Sequence, residues 1–175
     1  MKSTRSEESV LDKLFLQLIG RTLEILEREL SPQLLYHDVA HTRDDVLPRV
    51  EYLAQQYGVS AREQFALKLA ALFHDAGYLF CYQNNESLGA QKAENELAQI
   101  GVPSDTIILV KQLIMATAIP HYPRTLLEQI ICDADLDSLG RKDFFYSSMC
   151  LRRELANYGT EIPVKQRLMR QKDFH

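Results

Sequence analysis

The chain has 175 residues, enough for one domain that buries roughly two-thirds of the surface its unfolded form exposes. With 46% hydrophobic and 25% charged residues it has an ordinary globular composition, and a net charge of −4 without any lysine or arginine cluster argues against a nucleic-acid groove or an anionic membrane surface. A nucleotide substrate stays open, because it needs only a local positive site.

No run approaches the roughly 20 apolar residues of a membrane span, and the opening MKSTRSEESV is polar and acidic, unlike a secretory signal. Cys81, Cys132 and Cys150 are odd in number and share no CxxC spacing. They predict three buried thiols in a reducing compartment, the cytoplasm by default, and no cysteine metal site.

Helical periodicity recurs along the chain. Residues 7–30 carry Val10, Leu11, Leu14, Phe15, Leu18, Ile19, Leu23, Leu26 and Leu30 on one stripe, a first helix stopped by Ser31-Pro32. A second helix is predicted over 38–57, ended by Gly58, with Pro48 as a kink or a fresh start. Ser60 and Glu63 form a capping box for a third, running to about residue 80. Four more fit 86–100, 103–118, 124–139 and 141–158, with Pro103 suited to a first turn and Gly101 and Gly140 as stops. Only IILV (107–110) resembles a strand, and it lies inside a helical pattern. The closing QRLMRQKDFH reads as helical. The expectation is an all-α, single-domain helical bundle: an N-terminal helix in 1–34 packed on a core of 35–140, with C-terminal helices in 141–175.

Inside the apolar run LKLAALFHDAGYLF (67–80) stand His74 and Asp75. An unpartnered buried carboxylate costs several kcal/mol, so a partner is required; a core His-Asp hydrogen bond would serve, and so would a cation. The rest of the chain favours the cation. His37 and His41 are four apart and share one face if the segment is helical, a spacing that suits a metal. IICDADLDSLG (130–140) adds Asp133, Asp135 and Asp137. Asp135 lies one turn from both Ile131 and Leu139 and most needs a cation, with Asp133 as fallback. Two imidazoles and two carboxylates would neutralise one divalent ion, and this mixed N/O set suits Mn, Mg, Fe, Ni or Zn.

The order His41, His74-Asp75, Asp135 resembles the HD superfamily of metal-dependent phosphohydrolases. YHDVAHT (36–42) is similar to its YHNxxHT opening, LAALFHDAGY (69–78) to its central LLHDIG segment and CDADLDSLG (132–140) to its closing AD-L segment. The resemblance covers roughly residues 35–140. It implies one divalent metal held by His41, His74, Asp75 and Asp135. By the same resemblance, His37 matches the residue that protonates the leaving oxygen in cyclic-nucleotide phosphodiesterases. Gly77 matches the glycine after the pair, expected to let the helix end close to the site.

The departures narrow the activity. AGYLFCYQNNE lacks the Glu-Asp pair of (p)ppGpp hydrolases and the nearby Glu of small 5′-nucleotidases, Tyr78 replaces the lysine of HDIGK, and no GYP tripeptide is present. The expected function is hydrolysis of a phosphomonoester or phosphodiester of a nucleotide or related small metabolite. His37 would act as acid, and Asp135 or Asp133 would orient water. Glu86, His121 and Arg124 are candidate substrate contacts, each also readable as an ordinary helix-end or loop residue. The alternatives are a catalytically silent metal- or nucleotide-binding regulatory module and an HD-type iron oxygenase. No nucleic-acid polymer or membrane partner is expected, and a homo-oligomer is compatible. Phe144, Phe145 and Tyr146, with the aromatics of 78–82, are assigned to the core, and His175 is taken as inert.

Overall fold

A computed structural model describes residues 2–159, with side chains from residue 11 onward apart from Asp12. Among these residues it is all helical: α1 (Lys2–Glu29), α2 (Leu47–Gln56), α3 (Ala61–Phe73), α4 (Asn85–Gln99), α5 (Ser104–Ala116), α6 (Leu126–Asp135) and α7 (Phe144–Asn157). None of these helices is long and apolar enough to cross a membrane. The closing QRLMRQKDFH and His175 lie outside the described residues.

The apolar run of α3 is the centre of the fold. Phe65 to Leu67 and Leu69 to Phe73 are all buried, and α1, α2, α4, α5 and α6 pack around them. Each of the leucine and phenylalanine side chains contributes about 1.5–3 kcal/mol by leaving water, and each alanine less. Ser60 starts the helix with the expected capping box: its backbone N donates to Glu63 Oε2 at 2.8 Å and its Oγ accepts from Glu63 N at 3.3 Å. Thr125 and Glu128 make a second box at the start of α6, which hydrophobic periodicity alone did not mark.

Three differences from the predicted elements shape the site. First, α3 stops at Phe73 instead of running to 80, and a 3₁₀ turn, Ala76–Leu79, follows. Asp75, at φ −98° and ψ 1°, sits at the break. Second, the helix expected over 38–57 is present without interruption over 39–56, but it winds as a π-helical turn over His41–Val46 before α2, whose first turn holds Pro48. Third, α6 ends at Asp135, and a 3₁₀ turn, Asp137–Gly140, leads towards α7. Pro103 caps α5 rather than opening its first turn.

Gly77 and Gly89 let α4 press against the segment after His74-Asp75. A Cβ on Gly77 would stand 1.8 Å from the Asn85 carbonyl oxygen, and one on Gly89 2.7 Å from that of Phe73. Gly77 thus serves the close approach of α4. Its role is broader than letting a helix end.

Two burial expectations are corrected. Of the three cysteines only Cys132 is buried; Cys150 is half-buried and Cys81 exposed. Phe80, Phe145 and Tyr146 are exposed rather than core, because the 3₁₀ turn re-aims the first and the outer face of α7 carries the other two.

Candidate metal centre

Three helix irregularities bring the candidate ligand residues together. His41 opens the π-helical turn, His74 and Asp75 stand at the end of α3, and Asp135 is the last residue of α6. His41 Nε2 lies 3.1 Å from Asp135 Oδ1, and His74 Nε2 lies 3.5 Å from the same oxygen. Asp75 Oδ2 is 3.2 Å from His74 Nε2 and 3.8 Å from His41 Nε2. His41, His74 and Asp135 each offer one ligand atom within 4.8 Å of the others, a group that can hold a metal ion. Bonds of about 2.1 Å to one ion place neighbouring ligand atoms about 3.0–3.4 Å apart.

The polar atoms fit a cation. His74 Nδ1 donates to the Ala71 carbonyl at 2.8 Å, so a neutral ring carries its lone pair on Nε2. That Nε2 and Asp75 Oδ2 are buried without a hydrogen-bond partner, facing each other at 3.2 Å. Two acceptors at that distance repel unless a proton or a metal intervenes. The titration behaviour carries the same demand. Burial works against charge on His41, yet Asp135, Asp45 and Asp75 outweigh it and push its pKa up to about 9. His74, opposed by burial but beside Asp75 and Asp135, is raised well above its ordinary value. Despite their own burial, Asp75 is held low by His74, His37 and His41, and Asp135 by His41 and His74.

Behind His41 stands Asp45, one helical turn on. Its Oδ2 lies 3.7 Å from His41 Nδ1, and its other oxygen meets the Arg141 guanidinium, which also holds Asp143. At 3.7 Å this is a charge contact and not a hydrogen bond, and His41 Nδ1 is buried without a partner; the negative charge behind it still favours the proton on Nδ1 and leaves Nε2 for the site.

His37 does not share a helical face with His41. It lies in the bend before the π-helical turn, with ring centroids 5.9 Å apart, and turns towards α7. There its Nδ1 lies 2.5 Å from Glu154 Oε1. Glu154 is fully buried and also accepts from Tyr36 N (2.8 Å), His37 N (3.0 Å) and the Tyr82 hydroxyl (3.1 Å). Burial raises its pKa, but His37 and the two backbone donors bring it below the ordinary carboxylate value. With Nδ1 engaged, Nε2 is the atom His37 has left for other work.

A cavity of about 100 Å³ opens beside Asp135, with Tyr36 and His37 on one wall and Ser147, Ser148 and Leu151 of α7 on another. Tyr36 donates or accepts at Ser138 Oγ, 2.9 Å away, and burial pushes its phenol up to about 12.

The remaining sequence candidates stand elsewhere. Asp133 is exposed and outside both the cluster and the cavity wall, because two residues carry it roughly 200° round α6 from Asp135. Asp137 pairs with Arg49 at 2.9 Å. Glu86, half-buried in the first turn of α4, reaches the site only through its field on Tyr78, which packs on His37 at 4.9 Å. His121 Nε2 donates to the Thr117 carbonyl at 2.8 Å, and Arg124 is exposed. None of Glu86, His121 and Arg124 lines the cavity.

Sequence reasoning missed Asp45 and Glu154. Asp45 was marked by its i+4 spacing from His41. Glu154 was marked by lying on the Phe144–Ser147–Leu151 stripe of α7, where a carboxylate is out of place. No protein-family model, curated protein or solved structure matches this chain.

Proposed function

We propose that this chain is a metal-dependent phosphohydrolase of the HD type, acting on a phosphate ester of a nucleotide or related small metabolite. One observation carries the proposal. Two imidazole nitrogens and two carboxylates, in the order of the HD motifs, converge in a buried cluster whose His74 Nε2 and Asp75 Oδ2 have no hydrogen-bond partner.

In this reading His41, His74, Asp75 and Asp135 hold one divalent ion. When bound, the ion supplies a Lewis acid for phosphoryl oxygens and a water of lowered pKa. Asp135 bridges His41 and His74 and lines the cavity, so its carboxylate is the one placed to orient that water. Asp133, exposed, drops out of the role. His37 acts as the proton donor to the leaving oxygen through Nε2, while Glu154 fixes its ring and supports the imidazolium. Tyr36 and Ser138 share one hydrogen bond, and whichever hydroxyl accepts in it keeps its own hydrogen to donate to a phosphoryl or ester oxygen at the cavity wall.

The test is elemental analysis of purified protein together with a phosphatase and phosphodiesterase panel under Mn, Mg, Fe, Ni and Zn, for wild type and Asp75→Ala. Wild type is expected to hold about one equivalent of metal and to release phosphate. The variant is expected to lose both. Equal phosphate release by the two proteins would remove the proposed site.

A further inference from the structure

We infer, building on the phosphohydrolase reading, that the substrate is a small organic phosphate with a single phosphoryl group, carrying a sugar- or polyol-sized hydroxylated portion, and not a nucleoside di- or triphosphate.

The first support is charge. The carboxylates of Asp75 and Asp135 would cancel the charge of one divalent ion. Among the described residues, no lysine or arginine lines the cavity. Two guanidiniums are committed to carboxylates, Arg141 to Asp45 and Asp143 and Arg49 to Asp137. A phosphomonoester brings about −1.5 to −2 charges at neutral pH, which one ion and a ring of hydroxyl donors can accept. Each further phosphate adds negative charge with no cation to receive it, and uncompensated charge in a partly dry cavity costs several kcal/mol.

The second support is size and lining. About 100 Å³ is well below the roughly 300 Å³ at which pockets for larger organic ligands begin. Its surface is mainly apolar, from Ile119, Leu136, Leu139 and Leu151, with the side chains of Tyr36, Ser138, Ser147 and Ser148 among them. Such a surface suits the mixed faces of a sugar or polyol, whose hydroxyls find partners and whose C–H faces find leucines. A purine would have to remain outside.

The experiment compares ribose 5-phosphate, glycerol phosphate, AMP, ADP and ATP with Mn-loaded protein. It records phosphate release, and in parallel calorimetric binding to the Mn-loaded protein. The two small phosphates are expected to exceed ADP and ATP by about tenfold or more in kcat/KM and in affinity. Leu139→Arg, at a wall residue that is 45% exposed and therefore tolerant of the change, is expected to narrow that ratio by supplying the missing cation. Preference for ADP or ATP, or an unchanged ratio in Leu139→Arg, overturns the inference while leaving a phosphohydrolase. Absence of release from every phosphate ester, here and in the metal panel, overturns both.

Discussion

Glu154 Oε1 and His37 Nδ1 stand 2.5 Å apart although 117 residues separate them in sequence, and the carboxylate reaches the imidazole from a fully buried position. One glutamate on α7 thereby holds the ring, both backbone amides of residues 36 and 37, and the Tyr82 hydroxyl.

Glu154→Ala leaves those donors buried and unanswered, and should cost roughly 3–5 kcal/mol in urea denaturation at pH 7. Glu154→Gln keeps the volume and should cost less, with turnover reduced by about tenfold or more where His37 serves as acid. The folded pKa of Glu154 lies below its ordinary 4.5, so its contribution is full above that value and lost as pH falls below it. Wild type should therefore lose stability in acid more steeply than Glu154→Gln. Parallel acid profiles for the two proteins would contradict the assignment.

Metal binding should depend on pH in the opposite sense to the stability of the metal-free cluster. With His41 raised to about 9, the imidazolium stabilises the metal-free fold fully below the ordinary 6.5, and that contribution disappears as pH rises through 9. A metal must displace this proton. Apparent Mn affinity, measured calorimetrically in buffers of different ionisation enthalpy, should rise between pH 6 and 9 with proton release and level off above. A flat affinity across that range would contradict it.

Asp45→Ala removes the carboxylate behind His41 without touching a ligand. Metal affinity should fall by about 10- to 100-fold, the usual effect of losing an outer-sphere partner. Asp143→Ala, on the far side of Arg141, is exposed and should change affinity little. Equal effects from both would show that Arg141, and not Asp45, is what matters.

Much of the candidate site was legible in the sequence because the residues that come together there obey local rules. The apolar run around His74-Asp75 demanded a partner for the carboxylate, and helical phase separated Asp135 from Asp133. All-helical character followed from persistent 3.6 periodicity. The break after Phe73 was only partly legible: Gly77 pointed to a helix end near the site, but Tyr78, Leu79 and Phe80 carry the apolar pattern on to about residue 80. The link between His37 and Glu154 was not legible, since it depends on how α7 docks and not on any spacing along the chain. Phe145 and Tyr146 were misplaced for the same reason: hydrophobic type was taken for burial, although only the stripe through Phe144, Ser147 and Leu151 turns inward.

Gly89→Ala and Gly77→Ala should each destabilise by about 1–3 kcal/mol or more, because a Cβ at either position strikes backbone and has no flexible neighbour to displace. Gly140→Ala, with nothing within 4 Å of the added carbon, is the control and should stay within about 0.5 kcal/mol. Thermal melts of the three variants check the ordering.

The seam at those two glycines has a consequence for how the protein can fail. His74 and Asp75 are consecutive residues on one short length of chain, clamped where α4 crosses it, so they cannot drift independently. Slippage along that crossing would displace two of the four proposed ligands in a single movement. Damage there should therefore read out as an abrupt loss of ion retention, with the remaining helices still folded and no intermediate grade of weakened binding.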